Sequence, residues 1–242
     1  MSTWPDLASR SEAPELMDDL AIGGSELEEA LRQLRRINQL LIGAWPLREG
    51  VDRLWRWAGQ PAELSILDVG AGSGDVNRPL LRWADRHGID LQITLMDINP
   101  ETCAEAADYY LDEPRVQVEQ GDVLNLPANY ADIVTASLFV HHFPNTQLPT
   151  AFTRMLQASR IGLVVNDLHR HAFAWAFIWG ATRLLSRNRM IRHDGPLSVR
   201  RGFRGSDFER LRATPGMGRL RYAWRPFFRY LVVVPRYERR FA

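Results

Sequence analysis

The sequence lacks several features that would assign it to common protein classes. It has no lysine, and all 30 of its basic residues are arginine. Cys103 is the only cysteine, so an internal disulfide is excluded. The longest run of apolar residues and glycine, residues 172–181, is shorter than the ~20 residues that span a bilayer, and the first residues lack the basic and apolar regions of a secretory signal. We therefore expect a cytoplasmic protein without a membrane span.

An excess of charge of either sign is also lacking. The 30 basic residues offset 29 acidic residues to a net charge of +1, so no overall field attracts nucleic acid or anionic lipid. The 242 residues are 45% hydrophobic and 24% charged, which is the balance of an ordinary globular protein. This length fits one full-sized domain better than two.

Residues 1–60 are predicted to form an N-terminal arm and a helical cap. Residues 1–25 are acidic and are interrupted by proline and glycine, which indicates a flexible arm. Leucines at helical spacing after Ser25 predict an amphipathic helix that reaches Leu41. A second helix is expected over Leu47–Trp57.

Residues 61–242 are predicted to form an α/β domain, because short apolar runs alternate with helical stretches as in a parallel sheet with crossover helices. The predicted strands are Ser65–Val69, Leu91–Met96, Arg115–Glu119, Ile133–Leu138 and Ile161–Val165. Arg219–Trp224 and Phe228–Val234 are expected to form an antiparallel hairpin at the sheet edge. The expected fold is a Rossmann-like, doubly wound sheet with a lid-like insertion at residues 169–204.

A glycine-rich turn follows the first predicted strand and precedes a helix. It contains Gly70, Gly72 and Gly74, and it lies at the sheet edge where ligands of such folds bind. Asp75 stands where a dinucleotide-binding turn has glycine or alanine, and its charge would oppose a pyrophosphate, which disfavours NAD and FAD. No Gly-Lys-Ser/Thr segment follows, so a nucleoside triphosphate loop is excluded.

Acidic residues close three of the predicted strands, at Asp68, Asp97 and Asp122. We expect all three to face one cleft, which would repel phosphates and suit a cationic, phosphate-free nucleoside. Asp97 can accept hydrogen bonds from both ribose hydroxyls, and Asp122 can accept one from the exocyclic amine of adenine.

These motifs, in this order, resemble those of the class I S-adenosylmethionine-dependent methyltransferases. The resemblance also includes the segment from Ala131 to Phe143, which ends in His141-His142-Phe143. It implies a seven-stranded sheet whose last strand is antiparallel. It further implies that the cofactor S-adenosylmethionine is bound by Asp68, Gly70, Ala71, Gly72, Asp97, Ile98, Asp122, Val123 and Ser137.

The resemblance gives these residues separate roles. The glycine turn would pack against the methionine part and the ribose, which Asp97 would bind. Ile98 and Val123 would lie on either side of the adenine, and Asp122 would bind its amine. Ser137 would lie near the sulfonium.

His142 is the predicted catalytic base, because a neutral imidazole can accept the proton of a phenol near pH 7. His141 is a second candidate, and a structural role is open for the His-His-Phe segment. Methyl transfer from a sulfonium needs no metal, and no carboxylate cluster beyond Asp122 is recognisable, so no metal site is expected.

The methyl acceptor is predicted to be a hydrophobic small molecule. Trp175 and Trp179, on an aromatic helix, and Arg192 and His193, in an arginine-rich segment, are its predicted contacts. Packing of the aromatic residues in the core is the alternative. The segments Asp167–His171 and Arg192–Phe203 resemble a bacterial subgroup of the family linked to polyketide and phenolic secondary metabolism.

The predicted activity is O-methylation of a phenol, pyrone or polyketide-like hydroxyl, and C-methylation of a quinol or polyketide is the alternative. An excess of arginine after Arg187 keeps a nucleic-acid methyltransferase open, although no base-flipping signature follows the fourth strand and no nucleic-acid partner is expected. A non-catalytic protein that binds the cofactor is a further alternative. We expect a monomer or a homodimer.

Overall fold

A computed structural model describes residues 5–19, 23–40 and 44–237. The predicted C-terminal residue of the first helix, Leu41, and parts of the predicted N-terminal arm lie outside these residues. In the described part of the chain, no helix combines the length and apolar character needed to cross a bilayer.

A seven-stranded sheet forms the centre of the protein, and its strand order is β3-β2-β1-β4-β5-β7-β6. Its strands are β1 Glu63–Val69, β2 Asp90–Asp97, β3 Val116–Gln120, β4 Ala131–Ser137, β5 Ser159–Leu168, β6 Arg221–Arg225 and β7 Arg229–Pro235. Strands β1 to β5 are parallel, whereas β7 pairs antiparallel with both β5 and β6. The predicted doubly wound sheet and its antiparallel hairpin are confirmed.

Helices cover both faces of the sheet. The helices are α1 Gly24–Leu40, α2 Trp45–Trp57, α3 Arg78–His87, α4 Pro100–Tyr109, α5 Leu148–Ala158, α6 Ala172–Leu185, α7 Arg189–Arg201 and α8 Gly205–Arg212. One buried cluster joins α2, α3 and α4 to one face, and it includes Leu54 and Leu80. Another joins α5 and α8 to the opposite face, and it includes Phe152 and Phe208. Both faces of the parallel sheet are therefore buried, as its apolar strands require.

The arginine-rich segment after Arg187 forms a helix, α7, although Pro196 lies inside it. Asn188 caps this helix, because its side-chain oxygen accepts hydrogen bonds from the N–H groups of Met190 and Ile191. The apolar residues Met190 and Ile191 pack against α1. Capping and tertiary packing thus outweigh the unfavourable effect of an internal proline on the helix. That α6 and α7 act together as a lid stays a prediction.

Residues 5–19, which belong to the predicted flexible arm, make fixed contacts with the domain. The buried guanidinium of Arg10 donates to the carbonyl oxygens of Arg201, at 2.7 Å, and of His141, at 2.9 Å. It also donates to the side chain of Asn145. A buried guanidinium needs several acceptors, and these acceptors hold the segment against the carboxyl ends of the strands.

Candidate active site

The glycine turn brings the backbone of β1 close to the carboxyl end of β2. Gly70 has φ +60°, and a Cβ there would lie 2.0 Å from the ring of Phe139. Gly72 has φ +56°, and no atom lies within 4 Å of the Cβ position. The N–H of Gly72 donates to Asp97 Oδ2 over 3.0 Å. The turn is therefore fixed on one side and open toward a cavity on the other.

Asp68 lies beneath this turn and does not face the cleft, which corrects the prediction. Its side chain accepts hydrogen bonds from Thr135 Oγ1 at 2.7 Å and from Asn77 Nδ2 at 2.6 Å. It is fully buried, and burial raises the pKa of its carboxyl group to about 6. Asp68 therefore supports the turn from inside the protein, and a ligand in the cavity would not contact it.

The other eight predicted cofactor residues line one cavity of about 850 Å³. They are Gly70, Ala71, Gly72, Asp97, Ile98, Asp122, Val123 and Ser137. The Asp97 carboxylate is half-buried, and burial raises its pKa although backbone N–H groups donate to it. The strand ends thus bring these residues together as expected.

Asp122 has a structural partner as well as a place on the cavity wall. Its Oδ1 accepts a hydrogen bond from the N–H of Leu124 at 2.9 Å, and its Oδ2 accepts one from the side chain of Asn125 at 3.2 Å. The residue thus caps the short 3-10 turn that follows β3. Each carboxylate oxygen has two acceptor sites, so this cap leaves room for a ligand amine.

The opposite half of the cavity is apolar. Its wall comes from α1, α6, α7 and the turn between β6 and β7. The apolar side chains in this wall are Leu27, Leu31, Leu34, Ile37, Phe177, Ile178, Ile191, Val199, Trp224, Phe227 and Phe228. The helical cap and the insertion together build this half, which lies beyond the strand ends.

The four predicted acceptor contacts are not among the cavity-lining residues, which corrects that prediction. Trp175 and Trp179 stack on each other, and Arg183 lies over the ring of Trp179. Arg192 and His193 are exposed. The helical repeat explains the difference, because α6 turns Phe177, Ile178 and Thr182 toward the cavity, whereas α7 turns Ile191, Asp194 and Ser198 toward it.

Two histidines and three carboxylates meet after β4, and all but Asp167 line the cavity. His141 Nδ1 bonds Asp167 Oδ1 at 2.7 Å, and His142 Nδ1 bonds Asp18 Oδ1 at 2.5 Å. Glu15 Oε1 lies 3.5 Å from His141 Nε2, and Glu15 Oε2 lies 3.9 Å from His142 Nε2. The predicted base, His142, is half-buried and lines the cavity. Its catalytic role stays a prediction.

The carboxylates strongly affect the charge state of His141. Burial alone would lower the pKa of this imidazole, but Asp167 and Glu15 raise it to about 9. Burial would raise the pKa of Asp18, yet the hydrogen bond from His142 and the charge of Arg201 lower it to about 2. Without another ligand on Nε2, these carboxylates favour the protonated form of His141, and a protonated imidazole is a poor general base.

Arg229 brings a buried positive charge to the same cavity. It begins β7 and is 3% exposed. Its Nε and Nη1 have no hydrogen-bond partner among the described residues. Burial lowers the pKa of the guanidinium to about 10, which still leaves it charged at neutral pH, and the charge of Asp167 opposes that shift. Two buried donors without partners indicate a place for an anionic group.

Sequence reasoning missed Glu15, Asp18, Asp167 and Arg229. Glu15 and Asp18 fall in a segment that reads as a flexible arm, and no local pattern places them beside the histidines. Asp167 closes the fifth strand just as Asp97 closes the second, so the same strand-end argument could have found it. Arg229 is one of many arginines near the end of the chain, and only its register beside Leu168 of β5 reveals its burial.

Comparison with known proteins identifies a methyltransferase domain in the central part of the chain. The family model described as a methyltransferase domain matches residues 66–162. Residues 66–162 are therefore similar to methyltransferase domains, in agreement with the resemblance to the class I S-adenosylmethionine-dependent methyltransferases. The matched residues include the glycine turn, Asp97, Asp122 and both histidines after β4.

Two curated proteins are similar to this chain over part of their length. The ubiquinone/menaquinone biosynthesis C-methyltransferase UbiE of Rickettsia bellii is 31% identical over 105 residues, which cover 40% of the chain and 42% of UbiE. The non-reducing polyketide synthase Preu3 of Preussia isomera is 22% identical over 144 residues, which cover 58% of the chain and 6% of the synthase. The chain thus spans less than half the length of each.

Among solved structures, human N-acetylserotonin methyltransferase, determined in complex with S-adenosylmethionine, has the same fold. The similarity has a TM-score of 0.60 at 14% identity, and it covers 93% of the chain and 63% of the human protein. The similarity in fold therefore extends beyond residues 66–162.

Proposed function

We propose that this methyltransferase transfers a methyl group from S-adenosylmethionine to an apolar small molecule with an ionisable hydroxyl group, such as a phenol or an enolic pyrone. The observation that carries the proposal is one cavity with two chemically different halves. The glycine turn and the acidic strand ends form the first half, and apolar side chains of the cap, the insertion and the hairpin form the second.

The residues of the first half fit S-adenosylmethionine. The open side of Gly72 admits a ligand close to the backbone, and Asp97 offers a carboxylate to the ribose. Ile98 is 53% exposed beside it and provides an apolar surface for adenine. Asp75 directly follows the glycine turn, and its carboxylate would repel a phosphate group there. This agrees with S-adenosylmethionine, which carries no phosphate. When bound, this cofactor supplies a methyl group that is activated by a sulfonium.

Arg229 favours an acceptor that reacts as an anion. Its unpartnered Nε and Nη1 can donate to a phenolate or enolate oxygen in the apolar half, where a positive charge stabilises negative charge more strongly than in water. The guanidinium would lower the pKa of the bound hydroxyl and so increase its reactive, deprotonated fraction. His142, the predicted base, can accept the proton only through Nε2, since Asp18 occupies Nδ1.

O-methylation is the first form of this proposal. The acceptor oxygen attacks the methyl carbon, the carbon–sulfur bond breaks with its electrons going to sulfur, and the hydroxyl proton goes to a base or to water. C-methylation is the second candidate, because a phenolate or enolate also carries negative charge on carbon and UbiE is a C-methyltransferase. Positioning in the apolar half would select the attacking atom.

The test is incubation of the full chain with labelled S-adenosylmethionine and a panel of phenols, pyrones, quinols and RNA, followed by mass spectrometry. We expect a methylated phenol or pyrone, and NMR of the product distinguishes oxygen from carbon. Labelled RNA would support a nucleic-acid methyltransferase instead. Binding of S-adenosylhomocysteine without transfer to any acceptor would support the non-catalytic alternative.

Arg229→Met provides a sharper test, with the exposed Arg154→Met as its matched control. We expect Arg229→Met to lose methyl transfer near pH 7 and to recover part of it as the pH rises toward the acceptor's own pKa. Arg154→Met should behave like the unmodified protein. Equal loss at every pH would contradict the role of Arg229 in stabilising an anionic acceptor.

A further inference from the structure

Glu15, His141 and His142 form a cluster whose geometry suits a metal ion. The two distances from Nε2 to the Glu15 carboxylate are 3.5 and 3.9 Å, and one ligand atom from each residue can be chosen so that all lie within 4.8 Å of one another. Ligand atoms about 2.0–2.1 Å from a tetrahedral Zn²⁺ are separated by about 3.3 Å. A small inward movement of these side chains would therefore place all three around one ion.

The Nε2 atom of His141 is the second, independent observation. His141 is 3% exposed, and this nitrogen has no hydrogen-bond partner among the described residues. Glu15 Oε1, at 3.5 Å, is farther away than the 2.7–2.9 Å typical of a charge-assisted hydrogen bond. Buried polar atoms are rarely left unpaired, so this nitrogen points to a ligand at the centre of the cluster.

The outer nitrogens of both imidazoles are fixed by carboxylates. Asp167 holds Nδ1 of His141 at 2.7 Å, and Asp18 holds Nδ1 of His142 at 2.5 Å. Metal-binding histidines commonly donate their other N–H to a carboxylate, which fixes the tautomer and directs the free nitrogen at the ion. Here both imidazoles have this arrangement, and both present Nε2 to the same glutamate.

Polar contacts hold the side chains of the cluster in place. The guanidinium group of Arg201 donates to Asp18 Oδ2 at 3.1 Å and to the carbonyl oxygen of His142. Arg10 and Arg201 both donate to the carbonyl oxygen of His141. These bonds fix the backbone of both histidines and the carboxylate that orients His142.

We propose that Glu15, His141 and His142 bind one divalent transition-metal ion, with Zn²⁺ the ion that two imidazoles and one carboxylate fit. All three residues line the cavity. A fourth coordination position of the ion, not filled by the protein, would therefore face the apolar half of the cavity, where the acceptor would bind. The site would also tie the segment around Glu15 to the end of β4. An ion here would occupy His142 Nε2, so His142 could not serve at the same time as the predicted base.

The experiment uses the full chain, treated with a chelator, dialysed and titrated with Co²⁺ as a spectroscopic probe without cofactor or acceptor. We expect one equivalent of Co²⁺ to give the visible absorption of a four- or five-coordinate ion, and Zn²⁺ to displace it. One equivalent of Zn²⁺ should also raise the melting temperature. Glu15→Gln keeps the shape of the side chain, and it should weaken Co²⁺ binding at least tenfold, as should His142→Gln.

Glu12→Gln and His193→Gln are the matched controls, because both residues are exposed and lie outside the cluster. They should bind Co²⁺ like the unmodified protein. Binding of S-adenosylhomocysteine by each variant verifies that it is folded. A folded protein that takes up no Co²⁺, or a Glu15→Gln variant that binds it unchanged, would overturn the site. Co²⁺ binding without methyl transfer would support the site and count against the proposed function.

Discussion

The Asp97 carboxylate accepts hydrogen bonds from the N–H groups of Gly72 and Asn99, each at 3.0 Å. These bonds hold the carboxylate at the mouth of the glycine turn, so little reorganisation is needed to bind a ribose. Such preorganisation lowers the entropic cost of binding a ligand.

Asp97→Asn should therefore weaken S-adenosylhomocysteine binding. Replacing a charged acceptor by a neutral amide removes about 1.5–3 kcal/mol per hydrogen bond, which corresponds to roughly 10- to 100-fold in the dissociation constant. Isothermal titration calorimetry measures the change. Asp90→Asn, at the exposed start of the same strand, is the control and should bind normally. Equal affinities of the two variants would show that Asp97 does not contact the ligand.

Asp68 leads to a prediction about pH and stability. Its folded-state pKa of about 6 lies above the value of about 3.9 for an unfolded chain. The folded protein therefore binds the carboxyl proton of Asp68 more tightly than the unfolded chain does. The resulting stabilisation of the folded protein is complete below about pH 4 and is lost as the pH rises through about 6. The loss is on the order of 2–3 kcal/mol.

Asp68→Asn should remove this part of the pH dependence. Chemical denaturation at pH 4 and pH 7 gives the free energies of unfolding, with the exposed Asp112→Asn as the control. The difference between the two pH values should shrink for Asp68→Asn only. An unchanged difference would mean that Asp68 remains ionised in the folded protein at both pH values.

At the scale of the element, the half of the cavity with the glycine turn and the acidic strand ends could be predicted from the sequence, because its residues lie in short, local motifs. Each of its residues follows a strand end, and parallel strands place their carboxyl ends at one edge of the sheet. The acceptor half joins α1, α6, α7 and the hairpin, which are far apart in sequence. Its lining depends on the rotation of each helix about its axis, and composition does not fix this rotation, so Trp175 and Trp179 were expected where Phe177 and Ile178 lie.

Helix α2 lies on the sheet so closely that Gly50 has no room for a side chain. A Cβ at Gly50 would lie 2.4 Å from Val164 Cγ1 on β5. Gly50→Ala should therefore destabilise the protein by about 1–3 kcal/mol, as overpacked cores do. Gly180→Ala in α6 is the matched comparison, because nothing lies within 4 Å of that Cβ position.

The two glycine variants should change stability in opposite directions. Alanine exceeds glycine in helix propensity by about 1 kcal/mol, so Gly180→Ala should raise the melting temperature while Gly50→Ala lowers it. Differential scanning calorimetry measures both. Stabilisation by Gly50→Ala would contradict the close packing of α2 on β5.

At the scale of the whole molecule, the segment of residues 5–19 acts as a clamp across the carboxyl ends of the strands. Arg10 donates to His141, Phe143 and Arg201 through their carbonyl oxygens. Arg10→Met would remove one donor from each of these acceptors, and a buried group that is left unpaired costs about 1–3 kcal/mol. We expect a lower melting temperature and faster proteolysis of the segment, whereas the exposed Arg36→Met should change neither. Equal protease resistance of both variants would contradict the clamp.

The clamp also has a consequence for the order of events during protein synthesis. Arg10 and its acceptor on Arg201 are separated by 191 positions. A ribosome adds about 5–20 residues per second, so the acceptor is made roughly 10–40 s after the arginine. Strands β1 to β5 are synthesised within that interval. They can therefore pair before the acceptor of Arg10 on Arg201 has been synthesised. The apolar half of the cavity therefore closes only after α7 has been translated. A ribosome that stalls before α7 would hold a protein with five of the seven strands and no enclosed cavity.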